Sequence, residues 1–381
     1  MKFLILMFCL SLSISGFTQS KKMSIKHFNK AIEAFNQKDY LAAINEYSQA
    51  IEYNPTYAKA YYNRGNALLN VKKYKAAIKD FKKSLTLDPE AKKAEFYLGY
   101  AYQLSGDKNE ALLHYSRAIK NIPEFELSYV YRAAILMERK KYTKAAEDYT
   151  NAIALKEGQY KWFLNRGMCY YQDENYEDAI ADFTEVLSLK EGEAKVYKYR
   201  SKALLKTKQY EKAIEDLTAL IKSKPKNEEH FFYRGYAHLA LKEVEQADKD
   251  FKQVLKLNPS HEKALLNKAI TSLQLKNYEE TVRDHTAILE TKPNSSKHYL
   301  NRGIAYMNLK HYEQADADFS EAIKLDKDYA IAWFNRANAR NMLEQPDNAC
   351  ADMRQSATLG YKLAFDYIPS LCEDFNMAQK K

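Results

Sequence analysis

Residues 58–91 read AKAYYNRGNALLNVKKYKAAIKDFKKSLTLDPEA. Two stretches of helical length flank a short turn near Tyr74, and Pro89 closes the second. A proline inside a helix would lose a hydrogen bond and clash with the preceding turn, so it marks an end. Gly65 lies in the first stretch and Ala77 in the second, twelve residues apart. The pattern recurs along the chain. Pro55, Pro89, Pro123, Pro225, Pro259 and Pro293 lie 34 residues apart or at multiples of 34. A period of that size is the signature of a repeat architecture. A frame opening at Ser24 gives ten repeats, starting at residues 24, 58, 92, 126, 160, 194, 228, 262, 296 and 330.

Two columns of this frame hold small residues almost throughout. Position eight carries Ala31, Gly65, Gly99, Ala133, Gly167, Ser201, Gly235, Ala269, Gly303 and Ala337. Position twenty carries Ala43, Ala77, Ala111, Ala145, Ala179, Ala213, Ala247, Thr281, Ala315 and Ala349. Glycine inside a helix costs about 1 kcal/mol against alanine, so close packing of two helices is the reason to keep it there. Between the columns, Tyr40, Tyr74, Tyr142, Tyr176, Tyr210, Tyr278 and Tyr312 mark the turn.

These residues resemble the tetratricopeptide repeat family over Ser24 to about Leu363. The resemblance implies an all-α fold, a right-handed α-solenoid (superhelix) of ten 34-residue helix-turn-helix repeats. The first helices would line a concave groove that holds a peptide or protein, and catalysis in such proteins belongs to other attached domains. The expected organisation is a signal peptide over 1–20, repeats over 21–363 and a C-terminal capping helix and tail over 364–381, since terminal repeats need a solvated outer face.

The leader reading rests on Lys2, the apolar run Phe3 to Ile14 and the small polar stretch Ser15 to Ser20. The run is shorter than the ~20 apolar residues that span a bilayer, so no membrane span is expected. Losing Lys2 and no acid takes the net charge from +9 to +8, mildly basic. An exported chain does not meet nucleic acid, and none is expected as partner. Export points to the periplasm or cell envelope, or to secretion. Of Cys9, Cys169, Cys350 and Cys372, the last two are candidates for one disulfide, which would pin the cap to the last repeat.

Chemistry is sparse. No two histidines stand one helical turn apart, and His230 and His238, eight apart, make only a single pair that could share a face, so neither metal nor cofactor is expected. No phosphate loop or nucleophile elbow occurs, and Cys169 reads as a small buried hydrophobe in a first helix. The chain is read as a scaffold and not as an enzyme.

Groove positions taken from the family's geometry give candidate contacts. Position two holds Lys59, Lys93, Lys161, Lys195, Lys263 and Lys297, although lysine in a first turn opposes the helix dipole by ~0.3–1 kcal/mol. Position five includes Tyr62, Phe96, Lys198 and Phe232, and position nine includes Asn66, Tyr100 and Lys202. The candidate site is therefore Lys59, Tyr62, Asn66, Lys93, Phe96 and Tyr100, with Lys161, Lys195, Lys198 and Lys202 as its most basic stretch. A basic edge over an aromatic floor suits a peptide carrying acidic groups, or alternatively an acidic envelope glycan. The set with which some family members grip a chaperone's C-terminal carboxylate is matched only by Asn63 and Lys93; Phe28, Ile32 and Tyr97 stand in its other places.

One further column pair stands out. Position seven carries Arg64, Arg132, Arg166, Arg200, Arg234, Arg302 and Arg336, with Lys30 and Lys268; position twenty-three carries an aspartate opposite each, or Glu46. Repeat three loses both, with Leu98 and His114. The joint loss predicts an ion pair within each repeat rather than between neighbours.

Overall fold

In the computed structural model, which describes residues 2–372 with side chains from Gln19 onward, twenty-one helices follow one another. No strand occurs among the described residues. A typical repeat, the second, folds as Ala58–Asn70 and Tyr74–Leu87. The tyrosine column thus opens the second helix instead of lying in the turn; Lys108, Val244 and Pro346 open it in repeats three, seven and ten. The turn ends on position fifteen, which is left-handed in every repeat. Gly106 fills it in repeat three, whereas Lys72 (φ 59°) and Glu174 (φ 60°) are among the non-glycine residues held there. The proline lies two residues past the end of the second helix, as Pro55 does after Tyr53.

Two compact units make up the chain, Met1–Tyr199 and Arg200–Lys381. Within each, successive helices pack on one another, an all-α solenoid arrangement in which the core runs as a row of small clusters. Most of the expected leader, its first eighteen residues, lies outside the described side chains, and residues 373–381 of the tail lie outside the described residues. The capping segment is a single helix, Lys362–Leu371, that includes Pro369. Cys350 and Cys372 are joined, with Cα atoms 5.2 Å apart, and tie the end of that helix to the second helix of the last repeat.

The small column at position eight has a more specific cause than two backbones approaching. Position twenty-four is filled by a large buried side chain, including Phe81, Tyr115, Phe183, Phe251 and Phe319, whose ring lies over the glycine of the same repeat. A Cβ on Gly65 would meet Phe81 at 2.8 Å, and one on Gly303 would meet Phe319 at 2.6 Å. In repeats one and four, alanine at position eight coexists with Tyr47 and Tyr149.

The seven arginines all pair with the aspartate of their own repeat. In each, Nε donates to one carboxylate oxygen and Nη2 to the other, as in Arg166–Asp182 at 2.9 and 2.7 Å. Burial pushes the Asp148, Asp182, Asp216 and Asp318 carboxyls up in spite of the guanidinium beside them. Desolvation thus offsets much of the Coulombic gain, and the pair positions the helices more than it stabilises them. The third nitrogen, Nη1, reaches back to a hydroxyl of the preceding repeat: Arg64 to Ser48, Arg132 to Ser116, Arg166 to Thr150, Arg302 to Thr286. The ladder therefore also links neighbours, which the within-repeat expectation left out. Where the next repeat lacks the arginine, the hydroxyl is replaced by Lys82 or Lys252.

Contrary to the expectation from the columns, Lys30 does not pair with Glu46. Glu46 instead bonds His27 at 2.7 Å, and repeat three shows the same pair reversed, Glu95 with His114 at 2.6 Å. In repeat eight, Lys268 is buried against Asp248, Glu280 and Asp284. There the large side chain of position twenty-four is His285, 1% exposed, with Nδ1 3.2 Å from His298 Nδ1 and Nε2 without a partner.

Candidate functional site

The first helix of repeat two places Asn63, Asn66 and Asn70 at i, i+3 and i+7, which puts three amides on one face. Facing them, the first helix of repeat three, Lys92–Ser105, presents Tyr97, Tyr100 and Leu104 at the same spacing. With Phe35, Tyr47 and Leu69, these residues line a cleft of about 370 Å³. Its walls are held by ring contacts: Tyr97 meets Tyr62 edge-on at 5.7 Å, and Tyr100 meets Tyr131 edge-on at 5.3 Å. Asn70 donates to the carbonyl of Asn66 at 2.9 Å. An amide both donates and accepts hydrogen bonds, and so does a phenol. Such a row can pair with an extended peptide backbone without reading its side chains.

The expected site residues divide. Asn66 and Tyr100 line this cleft. Lys59 and Lys93 are exposed, Lys93 lying over the Phe125 ring at 5.7 Å. Phe96 is buried, 4% exposed, among Tyr97, Tyr115, Phe125 and Tyr131, so it belongs to the core and not to a groove floor. Tyr62 packs edge-on against Phe81 and Tyr97, and burial pushes its phenol up to about 12; it too supports the wall from behind. The family spacing assigned both to the groove, but in these two repeats position five points between helices, where a large ring serves packing first.

Lys161, Lys195 and Lys198 are exposed on the first unit. Lys202, on the second, bonds Glu229 at 2.8 Å and lies over the Tyr233 ring at 5.5 Å, so it is no bare cation. The second unit carries an open cleft of about 910 Å³ of its own, where Phe232, Tyr233 and Lys263 meet His261 and Lys224.

The column that sequence reading missed is position six. It holds Asn29, Asn63, Tyr97, Tyr131, Asn165, Tyr199, Tyr233, Asn267, Asn301 and Asn335, only asparagine or tyrosine. A position confined to two residue types that can hydrogen-bond, one step from the mostly apolar position five, was legible as a lining column. Attention to charge passed over it.

No group of three or more metal-ligating side chains occurs among the described residues. His230 is buried, and His238 bonds Glu243 at 2.6 Å. Cys169 is fully buried and burial pushes its thiol up to about 12, which leaves it no nucleophilic thiolate near neutrality. Among the described residues no helix is long and apolar enough to cross a membrane.

The fold and the lining column define a repeat protein whose helix pairs present side chains for contact with other proteins. Models of the tetratricopeptide repeat match residues 33–71, 58–90, 93–124, 132–194, 200–247 and 299–329. The chain belongs to the tetratricopeptide repeat family. Among solved structures, the C-terminal part of a TPR repeat-containing protein from Cytophaga hutchinsonii is 21% identical with a TM-score of 0.50, covering 63% of this chain and 98% of that one. The structure of Naa15/Naa10 bound to HypK-THB is 15% identical with a TM-score of 0.51, covering 88% of this chain and 64% of that one. A MamA protein is 21% identical with a TM-score of 0.42, covering 46% of this chain and 95% of that one. At these identities the likeness bears on fold alone. No curated protein matches the chain.

Proposed function

We propose that this chain is an exported, non-enzymatic interaction scaffold of the cell envelope that holds an extended peptide segment of a partner protein against its first helices. The observation that carries the reading is the cleft where Asn63, Asn66 and Asn70 face Tyr97 and Tyr100. Amides and phenols in register bind a peptide main chain, while Lys59 and Lys93 at the helix starts favour acidic groups on it. The charged apolar leader and the Cys350–Cys372 bridge support export, because disulfides persist in oxidising compartments.

The test is capture of envelope proteins by the wild-type chain and by a variant carrying Asn63→Ala, Asn66→Ala and Tyr100→Ala. Partner recovery is expected to fall at least ten-fold with the helical content unchanged. Full recovery by the folded variant would refute the site. Capture of an acidic glycan instead, lost steeply with salt as lysine contacts are, would support the polymer reading. Sequencing the N-terminus of the accumulated chain tests export: a start between Gly16 and Lys21 is expected, and an intact Met1 in an intracellular chain would contradict it.

A further inference from the structure

The second helix of repeat two, Tyr74–Leu87, and the turn before it expose Lys72, Lys73, Lys75, Lys79, Lys82 and Lys83. Asp80, the acid within that helix, is buried and held by Arg64. Lys82 lies over the Tyr102 ring at 5.4 Å. Among the described residues, no carboxylate lies within 4 Å of Lys72, Lys75, Lys79 or Lys83, so these four make no ion pair and the exposed charge of this helix is of one sign; Lys82 alone feels a nearby acid, Glu110.

Three repeats further on in the same unit, the second helix of repeat five, Tyr176–Leu189, has the opposite character. Glu174, Glu177, Asp178 and Glu185 are exposed, and the helix contains no lysine or arginine. Asp182 is buried and held by Arg166. The match is one of position as well as sign. Lys72, Lys75 and Lys83 occupy positions fifteen, eighteen and twenty-six of their repeat; Glu174, Glu177 and Glu185 occupy the same positions of theirs. Because the repeats share one helix-pair geometry, the spacing of the cations equals the spacing of the anions. No other second helix of this unit exposes charge of a single sign at these positions in such number: Lys108–Asn121, for example, mixes Lys108, Glu110, Arg117 and Lys120.

We infer that the lysine face of repeat two docks on the acidic face of repeat five of a second copy of this chain. The two faces lie on different helices, so the contact is heterologous. Each added copy leaves one lysine face and one acidic face open, and the product is a row or a ring and not a two-fold dimer. Pairs between exposed side chains are individually weak and screened by salt, so association belongs to low ionic strength and high local concentration.

The test is sedimentation velocity on the full chain as cells accumulate it. At low ionic strength the weight-average mass is expected to rise at least two-fold with concentration. At about 1 M salt, where the screening length falls to about 3 Å, it should return to that of one chain. Two charge-reversed variants decide the surface, one with Lys72→Glu, Lys75→Glu, Lys79→Glu and Lys83→Glu, the other with Glu174→Lys, Glu177→Lys, Asp178→Lys and Glu185→Lys. Each alone should stay monomeric, with unchanged helical content by circular dichroism since the sites are exposed. Mixed in equal amounts they should associate again, because each then offers the other its missing sign. A wild-type chain that remains monomeric at low salt, variants that associate alone as the wild type does, or a mixture that stays monomeric would overturn the inference. So would loss of the lysines affecting only capture of an acidic polymer or vesicle.

Discussion

At the scale of single residues, the glycine of position eight and the ring of position twenty-four set how closely the two helices of a repeat approach. A Cβ on Gly303 would lie 2.6 Å from the ring of Phe319, which is fully buried, so the ring would have to shift. Gly303→Ala is therefore expected to destabilise by about 1–3 kcal/mol in urea unfolding, although alanine is the better helix former. The arginine ladder makes a second prediction of this scale. Arg166→Ala leaves Asp182 buried and unpaired and should cost about 3–5 kcal/mol, whereas removing Asp182 as well should recover much of that loss. His285 supplies a third. Burial, with His298, Lys297 and Arg302 nearby, lowers its pKa to about 3. The unfolded state therefore binds a proton that the folded state refuses, and stability falls as pH drops from about 6.5 toward 3, by roughly 2 kcal/mol between pH 7 and 5. Tyr47 and Tyr149 fit over alanine at this position, so His285→Phe should fit over Ala269. Unfolding midpoints at pH 5 and 8 should then converge.

At the scale of helices and their junctions, much was legible in the sequence. The period, the helix ends at proline and the pairing of Arg64 with Asp80 follow from columns whose residue type cannot vary without physical cost. What was not legible depends on direction. Phe96 and Asn66 stand at positions five and nine of first helices, both assigned to the groove, and periodicity does not say that Phe96 turns into the core while Asn66 faces the cleft. Nor does charge alone say that Lys202 is tied to Glu229 while Lys161 is exposed. The reach of Nη1 to the previous repeat was recoverable, since Ser or Thr is absent at position twenty-five where the next repeat lacks arginine. The capping helix offers a test of this scale. It packs on the second helix of the last repeat, and the bridge closes a separation of 22 residues. Cys350→Ser should destabilise this end by about 3 kcal/mol on the chain-entropy view, seen as faster amide exchange across Lys362–Leu371 with the first repeats unchanged.

At the scale of the molecule, a chain whose helices pack chiefly on their neighbours opens locally, and its stability varies along its length. Repeat eight, with a buried lysine among three carboxylates and a histidine where its neighbours keep Phe251 and Phe319, is the place expected to open first below pH 6. The same independence lets one face bind while another varies. The column of asparagine and tyrosine at position six runs through all ten repeats, and the cleft of repeats two and three is where its amides and phenols face each other. The account stands or falls on whether that face meets a partner. A photo-reactive residue replacing Asn66, and as control one replacing exposed Glu147 on a second helix, measures this directly in cells that make the protein. A discrete cross-linked protein is expected from position 66 and none of that size from position 147. Cross-links from 147 with none from 66 would contradict it.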